Sequence, residues 1–429
     1  MWTYYGIILA AMAVAFWLGF KYKLPVGLVM VLAGAVGFLA SGRGLPLRHM
    51  VEGSFFFFYL MMVIATSVLF VTILEASGSF DALTRLLITK LYKQPAVLLC
   101  LLMLLIMLPA MLTGSAPVAM LSTGVLVAPI LMRMGIPKIQ TAAILAMGGL
   151  LGQSAPPINV MIMIIATSVF MPYEGFGLPL ALLTFPLAVF SVLYLGRKYV
   201  KLDTMEKLVA EIKADTTTEI PKGFGPYLPF VVLAVLMAGP RIWPATFVDP
   251  GAPLSFTISA IVALFTGRKV NLPEVTKVSM KKALGVLCLF VGIGVLVQSL
   301  SFTGLRGFIA VASMAVPKQF LYPFVGITAP LVCGPLVPFG ASAVVGPPFV
   351  LAFTDQNSVI ITSAVSMFLS LGCLTPPTAL SGLFGARVVG VEKEYGKVFR
   401  AALVPAALTF ILALIFMIYA NQIGKFLGV

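Results

Sequence analysis

LLGQSAPPIN, residues 150–159, is the stretch from which the rest of the chain is read. It lies inside a long apolar run from Ile136 to Phe170, where an unbroken helix would otherwise be expected. Pro156 and Pro157 remove two backbone donors and clash with the preceding turn, so the helix breaks there. Gly149, Gly152 and Ser154 make the break easy and polar. GCLTPPT at 372–378 repeats the device in a second apolar run, with Pro376 and Pro377 adjacent. Irregular backbone in hydrocarbon is tolerated only where protein or an aqueous cavity shelters it. Two such breaks, in corresponding positions of two halves, point to a substrate and ion site of the kind secondary transporters carry.

Composition sets the setting. Of 429 residues, 60% are hydrophobic and 10% charged, against roughly a quarter charged in a soluble chain. The charges cluster between apolar runs of about twenty residues, the length that crosses a bilayer as helix. The expected fold is therefore an all-α polytopic membrane protein. The net charge of +14 reflects basic residues beside spans, where the positive-inside bias puts them, and not a nucleic-acid surface. Cys100, Cys288, Cys333 and Cys373 are isolated and read as small apolar fillers. The first apolar stretch runs into Lys21, Lys23 and another span, which suits a first crossing better than a signal peptide.

Spans are expected at 4–20, 24–40 and 55–74, with a polar segment at 41–53. At 77–93, Phe80, Leu83, Leu87 and Leu91 recur at helical spacing among charges, as in an amphipathic helix at the membrane interface. Segment 95–131 carries a polar interruption from Thr113 to Pro117 between two short arms, which suggests a re-entrant hairpin. The broken span 138–171 and a span at 178–195 close the first half. The second half repeats the plan: spans at 226–240, 253–267 and 283–299, an interfacial stretch at 300–317, a hairpin at 319–353, a broken span at 358–390 and a last span at 400–420. The expected units are a first repeat at 1–196 with scaffold spans in 3–74, a linker at 197–224 and a second repeat at 225–429. EASG at 75–78 pairs with SFTG at 301–304, Gly114 with Gly340, and the first double proline with the second.

Charge counting tests the layout. With the linker in the cytoplasm, all but six of the 28 basic residues fall on the same side. Arg43, Arg48, Arg241, Arg306, Lys318 and Lys425 remain outside. Each half then has five crossings and one hairpin, both termini lie outside, and the repeats are inverted, an architecture of alternating access.

TGSAPVA at 113–119, MGIP at 134–137, GGLLGQSAPPIN at 148–159 and GCLTPPTALSGLFG at 372–385 together resemble the large, DctM-like membrane subunit of TRAP-type transporters, within the ion transporter superfamily. The resemblance implies sodium-driven uptake of an organic anion, a C4-dicarboxylate or another carboxylate, by an elevator movement in a bacterial or archaeal cytoplasmic membrane. It also implies a small membrane subunit and an extracytoplasmic solute-binding protein as partners, besides membrane lipid. A homodimer is open if no small subunit enlarges the scaffold.

Hairpin tips and breaks would bring loose helix ends together, with amides for an anion and carbonyls for a cation. The substrate candidates are Ser115, Ser154, Asn159, Ser342, Thr375 and Thr378. The cation candidates are Gly114, Ser115, Gly152, Gly340, Gly372 and Thr375, hard oxygen ligands that suit Na+. The competing reading is that these small residues only pack helices. No ionisable residue falls at the predicted centre of a span, which favours sodium over protons. His49 is the lone histidine, so no triad or histidine-based metal cluster is expected, and neither enzymatic activity nor a cofactor. A passive channel, or a subunit inactive without its partners, are the alternatives.

Overall fold

Apolar runs punctuated by glycine, proline and short charged segments fold as helices. The computed structural model describes residues 2–200, 204–206, 209–210, 223–243, 245–376 and 378–429, and no strand occurs among them. Nine helices among these residues are long and apolar enough to cross a membrane. The protein is thus a polytopic all-α membrane protein.

The first half runs α1 (Trp2–Lys21), α2 (Val26–Ala40), a short α3 (Leu47–Ser54), α4 (Phe58–Ala76), a short α5 (Ser79–Leu91) and the arm α6 (Pro95–Thr113). A returning arm follows, made of α7 (Ala116–Ala119), a π turn (Met120–Gly124) and α8 (Val125–Arg133). The broken span is α9 (Lys138–Ser154) and α10 (Val160–Val169), and α11 (Gly177–Gly196) ends the half. The second half runs α12 (Leu228–Ile242), α13 (Gly251–Thr266), α14 (Leu272–Phe302), the short α15 (Leu305–Met314), α16 (Lys318–Val344), which is kinked at Val337 and so holds parts of both hairpin arms, the short α17 (Gly346–Leu351), the broken α18 (Ser358–Leu371) and α19 (Leu380–Val389), then α20 (Tyr395–Ile418) and α21 (Ala420–Leu427). Gly78 and Gly304 start α5 and α15 at φ 75° and 77°, a left-handed turn for which glycine is the natural residue. EASG and SFTG thus end in the same left-handed glycine turn.

Three boundaries differ from expectation. The third span of the second half is 31 residues long and begins at Leu272. Its charged first turns, with Glu274, Lys277 and Lys281, are good helix formers and simply continue the helix beyond the apolar run. The arms of the first hairpin have 19 and 18 residues, so neither is shorter than a span. The second hairpin turns at Val337 (φ 51°, ψ 166°), three residues before Gly340. Pro338 accounts for the extended ψ and cannot donate to the arm behind it, while the positive φ is strained for a β-branched residue. Of the predicted linker, Met205 and Val209 are buried, and 201–203, 207–208 and 211–222 lie outside the described residues.

Two groups of helices result. In one, α14 packs along α2, α3 and α4, α1 against α2, and α13 between α4 and α12. In the other, α9 packs on α6, α11, α19 and α20, α18 between α16 and α20, and α10 against α16 and α18. Glycine lets α2 and α14 touch backbone to backbone: a Cβ at Gly292 would lie 2.1 Å from the Gly27 carbonyl oxygen. Such close van der Waals contact is what holds helices together where lipid removes the hydrophobic drive. The halves are also joined by ion pairs, Lys282 to Glu75 at 2.7 Å and Arg268 to Asp81 at 3.3 Å.

Candidate substrate and cation site

At the first break, Pro156 and Pro157 have no N–H for the carbonyls of Gly152 and Gln153, four residues earlier. Ala155 N takes over the Gly152 carbonyl at 3.0 Å, and Asn159 Nδ2 donates to the Ser154 carbonyl at 3.0 Å. The Gln153 carbonyl is left without a helical donor. Asn159 then starts α10: its Oδ1 accepts Ile162 N at 3.0 Å, an N-cap bond. Asn159 N donates to the Tyr173 hydroxyl at 2.8 Å, and that hydroxyl donates to the Pro157 carbonyl at 3.1 Å. The Pro156–Pro157 bond is cis.

The second break is held differently. After α18 a short turn, Gly372–Leu374, leads to Thr375. Thr375 Oγ1 donates to the carbonyls of Gly372 at 2.9 Å and of Pro330, on α16, at 3.2 Å. The Tyr395 hydroxyl donates to the Leu374 carbonyl. Ala379, at φ 37°, precedes α19 and offers no side-chain cap.

The two breaks are joined directly. Gln153 Nε2 donates to Ser370 Oγ at 2.8 Å and to Cys373 Sγ at 2.9 Å. Ser370 Oγ donates to the Leu150 carbonyl at 2.7 Å, Asn159 Nδ2 to Ser366 Oγ at 3.1 Å, and Ser381 Oγ to the Ala146 carbonyl at 2.5 Å. Gln153, Asn159 and the three serines are all buried, so each bond replaces a polar group that would otherwise be stranded.

The structure joins Asn159 to the Ser154 carbonyl and Thr375 to the Gly372 carbonyl, and gives the other predicted residues separate neighbours. Gly114 ends α6 at φ 65°, and a Cβ there would lie 2.2 Å from Val160 Cγ2, so the first tip seats on the first turn of α10. Ser115 is buried beside it and its N donates to Thr113 Oγ1 at 3.3 Å. Gly152 and Gly372 press on their own hairpins: a Cβ would lie 2.7 Å from the Met107 carbonyl oxygen and 2.2 Å from Cys333 Cβ. Both glycines serve close packing, with their carbonyls already bonded. Gly340 faces the other helix group, where a Cβ would meet Met30 Cε at 2.3 Å. Ser342 Oγ bonds back to the Pro338 carbonyl at 2.6 Å. Thr378 is half-buried, Pro376 exposed, and Pro377 lies outside the described residues.

Ser154 stands out. Its side chain is fully buried and its hydroxyl has no hydrogen-bond partner among the described residues. The orphaned hydroxyl and, one residue before it in the chain, the proline-freed carbonyl of Gln153 are both hard oxygen donors. No group of three or more histidine, cysteine or carboxylate side chains suited to a metal occurs among the described residues.

Sequence reading missed Gln153, Tyr173, Ser366, Ser370 and Ser381. The serines were detectable as a row: Ser363, Ser366 and Ser370 recur every third or fourth residue in an apolar helix. Cys373, read as a filler, receives the Gln153 amide, and Cys333 Sγ donates to the Leu369 carbonyl at 3.0 Å.

A cavity of about 1020 Å³ reaches the first break. Pro157 and Ile158 line it from the break, Tyr173 and Gly175 from the loop after α10, and Arg241, Asp249 and Ser255 from α12, α13 and the segment between them. A Cβ at Gly177 would lie 3.3 Å from Arg241 Nη1, which places the guanidinium beside the start of α11. The cavity thus lies between the two helix groups.

A helical membrane protein with two joined, broken helices and a solute-sized cavity leading to one of them is a secondary transporter of a small solute. The chain belongs to the family described as Tripartite ATP-independent periplasmic transporter, DctM component, which it matches over residues 13–423. The resemblance carried by the motifs is thereby borne out. No curated protein matches the chain. Among solved structures its fold is similar to that of the Alcanivorax borkumensis YdaH transporter, with a TM-score of 0.53 and 17% identity over 87% of this chain and 88% of that one.

Proposed function

We propose that this protein carries a small organic anion inward by sodium-coupled symport, without covalent chemistry. The observation that carries the reading is the buried, unpartnered Ser154 hydroxyl at a break whose far side lines a large cavity. Na+ would bind the Ser154 hydroxyl and the Gln153 carbonyl. The anion would enter past Arg241 and meet the free amides at the start of α10, where the macrodipole favours negative charge. The helix order of the two halves, the paired glycines at 78 and 304 and the basic-residue distribution support inverted repeats, with both termini outside and the 197–224 linker inside. In an elevator cycle the group containing both breaks would move against the group built on α2 and α14.

The family description names a tripartite, periplasmic system, which favours a requirement for partners: a small membrane subunit and an extracytoplasmic solute-binding protein. Uptake of labelled organic acids into proteoliposomes tests both readings. With partner proteins supplied, accumulation should require inward sodium and stop when the gradient is collapsed. Equal downhill flux in sodium and choline would replace symport by a passive pathway.

A further inference from the structure

A second cavity, of about 550 Å³, lies away from the breaks and does not depend on the transport reading. It forms where α10 ends, between the first turn of α15 and the α16–α17 hairpin. Ser168 lines it, is 7% exposed, and its hydroxyl has no hydrogen-bond partner among the described residues. Arg306 lines it from the opposite wall and spends one donor on the Ser168 carbonyl, Nη2 to O at 2.6 Å. A guanidinium has five donors, and the others have no protein partner among the described residues. The same wall is the start of a ten-residue helix, whose first-turn amides no helix satisfies from within. Gly304 and Gly307 line the cavity at that start; the Gly304 amide is already spent on the Ser301 carbonyl at 3.1 Å. A guanidinium with donors to spare beside an orphaned hydroxyl is the donor chemistry of a phosphoryl site.

The remaining wall is apolar and open: Phe170 is 95% exposed and Leu351 40%, beside Pro347 and Pro348. The site also lies at the end of α14, a 31-residue helix that outlasts the roughly 30 Å hydrocarbon layer. Phosphate groups beside an apolar wall at that depth belong to lipid headgroups, and basic pockets between helices at the interface bind them. We propose that this cavity binds an anionic phospholipid, its phosphate on Arg306 and Ser168 and the start of its acyl chain along Pro347, Pro348 and Leu351.

The test uses the full chain, purified in a nonionic detergent and titrated with dioleoyl phosphatidylglycerol, with retention followed by native mass spectrometry and stability by thermal unfolding. One lipid per chain should be retained and should raise Tm saturably. Arg306→Gln should weaken this at least tenfold. Gly307→Phe, at a position where a Cβ meets nothing within 4 Å, should abolish it by filling the cavity and serves if the arginine variant unfolds. Dioleoyl phosphatidylcholine and glycerol phosphate should do neither. Unchanged lipid retention in both variants, or a full Tm shift from glycerol phosphate or inorganic phosphate alone, would overturn the proposal.

Discussion

The two breaks carry the same double proline and are built to different ends. The first is pinned on all sides: Asn159 caps the outgoing helix, Tyr173 clamps the loop, and the tip of the first hairpin sits on Val160. It also lines the larger cavity, and among the described residues of the two breaks it holds the one unpartnered buried hydroxyl, on Ser154. The second has no side-chain cap on α19, an exposed Pro376 and a threonine that spends its hydroxyl on backbone carbonyls. A shared motif therefore fixes where the helices break, and the neighbours of the motif decide which break keeps an unpartnered donor. The rigid break is the one with spare valence.

The asparagine pair measures that difference most strongly. Asn159 and Asn357 both cap halves of broken helices, each accepting an amide at 3.0 Å. Asn159 is fully buried and also holds Ser366 and the Ser154 carbonyl. Asn159→Ala should cost about 3 kcal/mol, about one for the cap and the rest for buried partners left unpaired. Asn357, half-buried, holds one further carbonyl, that of Val429 at 2.6 Å, so Asn357→Ala should cost about 1.5 kcal/mol. Thermal unfolding of both variants reads the ratio, and equal losses would erase the contrast between the breaks.

Gln153→Leu comes next. It cuts the joint between the breaks and strands Ser370 and Cys373, at about 2 kcal/mol. Uptake should fall at least tenfold, because the two breaks no longer share one geometry. A variant with normal uptake would mean that the breaks work separately. Thr375→Val removes one hydroxyl from the second break and should cost about 1 kcal/mol while leaving the sodium dependence of transport unchanged. A changed sodium dependence would move the ion to the second break.

Much of this was legible from residues alone, for a local reason. Proline chemistry breaks a helix wherever it stands, and Gly78 and Gly304 mark the same turn in both halves, so breaks, hairpins and helix order follow from short stretches. The second tip was misplaced because Gly340 looks like a turn residue, while the chain turns at Val337, a β-branched residue whose positive φ no sequence rule would assign. The Gln153–Ser370 bond joins residues 217 positions apart; spacing cannot reveal which helices cross. The same holds for Arg241, which charge counting placed outside and only the packing of α12 against α11 brings to the cavity.

The most direct measurement is the sodium dependence of thermal stability in the wild type and in Ser154→Ala. The Ser154 hydroxyl has no partner among the described residues, so its removal loses no hydrogen bond and should not lower the Tm measured in choline chloride. Replacing choline by sodium at constant ionic strength should raise the wild-type Tm saturably and leave the variant nearly unmoved. A variant that keeps the full sodium shift, or a wild type indifferent to sodium, would contradict a cation site at the first break.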